Sequence, residues 1–277
     1  MLAVERIEIK RTLDPLVLDK SPLVYFLAQV RFSAILAMAE HVSTIQERFR
    51  KLGYPLYAEI ESHNVIFAPP APPKIQGSTL WTFSAADQKT GIVLSNNFVA
   101  FQAVRYTTYE ETLPRIIEAL QAVHDIAQIS LFERVGLRYL DVITPNWDAG
   151  EKFSTYLEPE VIGISGPKIG AKTLHHSTVY AGQTELGTIV VRFTTNDAPD
   201  ILPPDMAVAA LELPKPGVPD GVRIGTLDFD HYLETKDPFS IAQAQSLLAD
   251  LHDAIARTFK ECATDKAREL WGKHDVT

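Results

Sequence analysis

One cysteine, Cys262, stands in a chain of 277 residues, and a lone thiol has no internal disulfide partner. A disulfide-stapled extracellular scaffold is therefore excluded, and a reducing cytoplasm is the expected location. Long apolar runs are missing too. The most apolar stretch, Val24 to Ala39, is interrupted by Gln29 and Arg31 and falls short of the roughly 20 residues a membrane span needs, so no membrane association is expected. Met1 to Lys10 carries Glu5, Arg6, Glu8 and Lys10 and lacks the apolar centre of a signal peptide. Positive charge is the third shortage: 26 Lys+Arg face 35 Asp+Glu, a formal net charge of −9. A field of that sign repels a polyanion, so nucleic acid is not an expected partner, whereas a basic protein partner is favoured.

Motifs that name a reaction are also absent. Gly163, Gly166 and Gly170 lack the Gly-Lys-Ser/Thr ending of a phosphate loop. Ser165 lacks the strand-turn-helix setting of a nucleophile elbow, and Cys262 has no histidine close in sequence. No cofactor is implied.

What is present is the material of a folded core, with 46% hydrophobic and 22% charged residues. Leu23–Phe32 reads as a strand and Met38–Leu52 as a helix through Val42, Ile45, Phe49 and Leu52. Strand patterns follow at Tyr57–Ala68, Thr79–Ser84, Gly91–Ser95 and Phe98–Arg105, with a stiff loop at Pro69–Pro73. A helix near Thr108–Gln128 has its stripe at Leu113, Ile117, Leu120 and Val123 and a capping-box spacing at Thr108 and Glu111, although Pro114 allows a later start. The pattern then recurs. Arg134–Thr144 is a strand with Val135, Leu137, Tyr139 and Asp141 on one face, and after an irregular connection with a short helix near Phe153–Leu157 come strands at Leu174–Gln183, Thr188–Thr195, Ala207–Leu213 and Val222–Leu233. The last helix is expected to be capped by Asp237, with Pro238 at its first position and Ile241, Ala244, Leu248, Leu251, Ile255 and Phe259 on its stripe.

Each half thus reads strand, connection, four strands, helix, and Leu120-Gln-Ala-Val-His124-Asp125 matches Leu248-Ala-Asp-Leu-His252-Asp253. The expected fold is α+β: an antiparallel sheet with long helices packed on one face, saddle-like or helix-grip-like, built from pseudo-repeated halves 1–132 and 133–277 that share one continuous sheet. Its edge strands would need covering, which a homodimer could do.

The segments Ser21-Pro-Leu-Val24, Gln29-Val-Arg31-Phe32, Trp81-Thr-Phe83, Tyr106 to Tyr109, Arg134-Val-Gly-Leu-Arg138-Tyr139 and Leu227-Asp-Phe-Asp230, with the closing helix around His252, together resemble a sporadically distributed, uncharacterised family of bacterial proteins of similar length. The resemblance implies a bacterial cytoplasmic protein compatible with toxin-antitoxin or defence-associated roles, and it transfers no catalytic residue. Asp141 stands where an amide side chain is more expected.

Two constellations carry chemistry. Arg134 and Arg138 share a strand face, and with Arg105 and Arg192 on other expected strands they could converge into an anion site of bidentate guanidiniums. Asp228 and Asp230, two apart on a strand, could share a divalent cation, although two carboxylates are few for a dedicated site. Adjacent His175 and His176 face opposite ways, so one is expected outside and one packed. His124 and His252 flank apolar stripes and read as buried histidines satisfied by a backbone or carboxylate partner. The combined expectation is a non-catalytic binding or accessory protein for a protein partner or a small anionic ligand. The alternative is a metal- or phosphate-dependent enzyme centred on Asp228 and Asp230 with convergent arginines.

Overall fold

A computed structural model describes residues 17–66, 74–164, 169–170, 173, 175–196, 201–203, 206, 211–213 and 222–274. The elements run β1 (Val17–Leu18), β2 (Leu23–Phe32), α1 (Met38–Lys51), β3 (Leu56–Ile66), β4 (Lys74–Ser84), β5 (Thr90–Leu94), β6 (Phe98–Ala103) and α2 (Tyr109–Ala127). They continue with β7 (Phe132–Ile143), a 3-10 turn at Trp147–Ala149, α3 (Phe153–Tyr156), α4 (Pro159–Ile162), β8 (His176–Gln183), β9 (Thr188–Asn196), β10 (Ile224–Glu234), α5 (Ile241–Cys262), α6 (Asp265–Leu270) and β11 (Lys273–His274). Among these residues no helix is long and apolar enough to cross a membrane.

The fold is α+β. Nine strands form one antiparallel sheet in the order β3-β4-β5-β6-β2-β7-β10-β9-β8, and β1 pairs with β11 in a separate ribbon. β2 and β7 meet at the centre, flanked by β6 and β10. β3 forms one edge and β8 the other.

Alternation along each strand sends one set of side chains to the helices and the other set away from them. Phe26, Ala28, Val30 and Phe32 of β2 share the helix-facing core with Val135, Leu137 and Tyr139 of β7 and Leu227 and Phe229 of β10. Helix spacing brings Val42, Ile45 and Phe49 of α1, Ile116, Leu120 and Val123 of α2, and Leu248, Leu251 and Ile255 of α5 against this face. On the opposite face Leu80, Val93 and Ala100 make a smaller apolar cluster, covered by Leu211 from the connection after β9.

Several local expectations change. The α2 stripe centres on Ile116 rather than Ile117: Leu113 and Ile117 are only partly buried, and Ala119 and Ala122 take the buried positions. Pro114 does not delay the helix, because Thr108 accepts the Glu111 amide and Tyr109 is already helical. Ser240 caps α5 in place of Asp237, whose carboxylate accepts from Thr235 Oγ1 at 2.7 Å and whose carbonyl accepts the Phe132 amide. Phe98–Arg105 shortens to β6, leaving Arg105 exposed in the connection to α2. Residues 211–213 are not in a strand, and the rest of the strand expected at Ala207–Leu213 lies outside the described residues, as do Pro69–Pro73, Ser165 and Gly166.

Candidate functional site

The two faces of β7 set up two chemically different places on opposite sides of the sheet. Gly136, Arg138 and Leu140 point away from the helices, and Leu137, Tyr139 and Asp141 point toward them.

On the far face the structure brings together Arg134, Arg138, Arg192, Asp228 and Asp230. Arg138 donates Nε and Nη2 to the two carboxylate oxygens of Asp228, both at 2.7 Å, and Arg192 Nη1 reaches the same carboxylate at 3.1 Å. Arg134 donates Nη2 to Asp230 at 3.0 Å and Nη1 to Gln29 Oε1 at 3.1 Å, with its guanidinium 4.2 Å from the centre of the Tyr232 ring. Gly136 makes that fold-back possible: a Cβ there would stand 3.0 Å from Arg134 Nη1. Burial raises the Asp230 carboxyl above its usual range, and Arg134 and Arg138 oppose the shift.

Arg105 takes no part in the cluster, because β6 ends before it. Each aspartate therefore serves as an arginine partner, and among the described residues no group of three His, Cys, Asp or Glu gathers to hold a metal. Of the histidine pair, His175 is exposed, and the half-buried His176 sits with Nε2 at 2.5 Å from the Ile162 carbonyl.

On the helix side lies a cavity of about 410 Å³ between β7, β10, the start of α2 and the middle of α5. Tyr139, Asp141 and Phe229 come from the sheet, Tyr106 and Tyr109 from the approach to α2, and His252, Asp253 and Phe259 from α5. The polar atoms of the aromatic cluster form a chain. Tyr106 Oη lies 3.4 Å from Tyr139 Oη, which shares a 2.8 Å hydrogen bond with His252 Nδ1, and the His252 ring stacks on Tyr109 at 3.9 Å and 4°. Burial lowers His252 to about 4, so the imidazole is neutral at pH 7. It pushes the Tyr106, Tyr109 and Tyr139 phenols up, so all three keep their protons.

Asp141 is the anomaly in this lining. It is 4% exposed, its cross-strand neighbours are Leu23 and Leu227, and it has no hydrogen-bond or ion-pair partner among the described residues. Desolvation, reinforced by the Asp228 carboxylate, raises it to about 8. Tyr109 Oη is buried without a partner. A polar group shielded from water without a partner costs roughly 1–3 kcal/mol, so the Asp141 carboxyl bordering this cavity marks a place where a bound group can supply a missing contact.

Sequence reasoning placed Asp141 beside Tyr139 on the apolar face and assigned it nothing. A carboxylate in a row of Val135, Leu137 and Tyr139 was the available signal. The joining of Tyr106 and Tyr109 to His252 was not readable, because it depends on how α2 and α5 pack. His252 is satisfied by the Tyr139 hydroxyl instead of the expected backbone or carboxylate group, and His124 Nδ1 is buried with no partner, its ring lying 4.6 Å from that of Phe239. In comparison with known proteins, the chain matches no family model and no curated sequence.

Proposed function

We propose that this chain is a non-catalytic binding protein whose ligand is a small organic molecule held in the cavity between the sheet and helices α2 and α5. The observation that carries the reading is the unpartnered Asp141 carboxyl facing a cavity of about 410 Å³, a size within the range of small-molecule sites. Aromatic walls supply apolar contact, and the few polar groups supply orientation. Nucleophilic catalysis is not favoured, because burial pushes the Cys262 thiol up to about 12 and so keeps it protonated. The lone cysteine supports a cytoplasmic setting.

A second reading places a small anion on the opposite face. What favours it is that three guanidiniums share two carboxylates there, with the Arg192 side chain 33% exposed.

The test of the main reading is a fragment screen by ligand-observed NMR on the native chain and on Ala256→Trp, a substitution that fills the cavity from α5. Fragments should bind the first protein and lose binding to the second while its melting transition persists. Equal binding to both would sink the cavity reading.

A further inference from the structure

We infer that the cavity takes a protonated amine carried on an apolar body, with the ammonium seated against Asp141 and the body against the tyrosine and phenylalanine faces. The inference rests on the cavity being the ligand site. Its first support is the sign of the lining: Asp141, Glu110 and Asp253 border the cavity, and among the described lining residues there is no Lys or Arg. His252 adds no positive charge, being held neutral between Tyr139 and Tyr109. The N-terminal end of α2 would attract an anion, but Glu110 and Glu111 occupy its first turn and offset the helix dipole.

The second support is the contrast across the sheet. Asp228 and Asp230 each meet an arginine, and those arginines project from the far face, so of these three aspartates Asp141 is the one with no cationic partner among the described residues. An ammonium supplies that partner and donates to the carboxylate. The rings of Tyr106, Tyr109, Tyr139, Phe229 and Phe259 then replace lost hydration, because aromatic faces attract cations. A neutral ligand needs no charged partner there, and an anionic one would meet no cationic side chain among the described lining residues.

Proton balance gives an independent signature. Without a bound cation Asp141 holds its proton at neutral pH, and on binding an ammonium the carboxyl ionises, its proton passing to the buffer. The titratable groups around it on the helix side are Tyr139 on its own strand, Tyr106 from the approach to α2, Tyr109 and Glu110 from α2, and His252, Asp253 and Cys262 from α5, while the Asp228 carboxylate acts on it from the far face of β10. Of these, His252, Cys262 and the tyrosines stay neutral at pH 7 and release nothing.

The experiment uses matched trios with the same body, such as 2-phenylethylammonium, 2-phenylethanol and phenylacetate, together with hexyl analogues. Affinities are measured by calorimetry at pH 7 in buffers of different ionisation enthalpy. The ammonium member should bind at least about tenfold more tightly than the alcohol, with the carboxylate weakest. Binding of the ammonium should release about one proton. Asp141→Asn should remove the proton release and lower ammonium affinity at least about tenfold, leaving the alcohol within about twofold. Asp253→Asn, at the half-buried edge, should lower it less. If the alcohol or carboxylate binds tightest, or no proton is released, the amine inference fails and the ligand cavity stands. If no member of any trio binds, both fall.

Discussion

Replacing Asp141 with asparagine should make the protein more stable, and increasingly so as pH rises. Folding moves this carboxyl from an ordinary 3.8 to about 8. Between those values the folded chain keeps a proton that the unfolded chain has released. The folded state therefore binds more protons, and stability falls as pH rises through the window, levelling off above about pH 8. Each pH unit corresponds to about 1.4 kcal/mol, so the native carboxyl costs about 4 kcal/mol at pH 7 and roughly 6 above pH 8. Asparagine has the shape of the protonated carboxyl and does not titrate, so Asp141→Asn avoids that cost. At about 2 °C per kcal/mol for a chain of this length, its melting temperature at pH 7 should rise by roughly 8 °C. Urea unfolding of both proteins at pH 5, 7 and 9 measures the difference, which should be small near pH 4 and widen upward. Contributions common to both proteins, such as the histidines, cancel. A difference that stays constant from pH 5 to 9, or a less stable variant at pH 9, would refute the reasoning.

Other perturbations follow from the same geometry. Asp228→Ala strips the bidentate partner from Arg138, whose side chain is 7% exposed, and should cost about 3–5 kcal/mol by urea unfolding. Arg192→Ala, at the one-third-exposed end of the same network, should cost no more than about 1 kcal/mol, and the reverse order would contradict the assigned burial. His231 and His252 are both lowered to about 4, so below pH 6.5 the unfolded chain takes up protons that the folded chain refuses, and stability is lost as pH falls toward 4. Substituting His252→Gln should flatten that acid limb by up to about 1.4 kcal/mol per pH unit, and an unchanged slope would count against a buried neutral imidazole. Gly187 sits at φ +154°, where a Cβ would come 2.1 Å from the Tyr232 carbonyl oxygen, so Gly187→Ala should cost at least about 2 kcal/mol in the same assay.

Much of the architecture was legible because periodicity reports burial directly. Val42, Ile45 and Phe49 announce α1, the row Val135, Leu137, Tyr139 announces the inner face of β7, and both appear in the core. Helix ends were legible only where a local hydrogen bond decides them. Thr108 caps α2 as its spacing indicates, but the α5 cap shifts from Asp237 to Ser240 because Asp237 is engaged by Thr235 and Phe132. The arginines could be placed on a shared strand face by alternation, yet their pairing with Asp228 and Asp230 depends on the register of β7, β10 and β9, which a sequence does not display. The same limit hid the cavity. Tyr106, Tyr109 and His252 are far apart in the chain from Asp141 and meet it only through the packing of α2 and α5 on the sheet.

The claim that the ligand face is the helix side of the sheet can be tested by amide chemical-shift mapping of the isotopically labelled chain during titration with 2-phenylethylammonium. Shifts concentrated at Tyr109, Asp141 and His252 and their sequence neighbours are the predicted result. Shifts concentrated at Arg134, Arg192 and Asp230 on the opposite face, or none in either group, would contradict it.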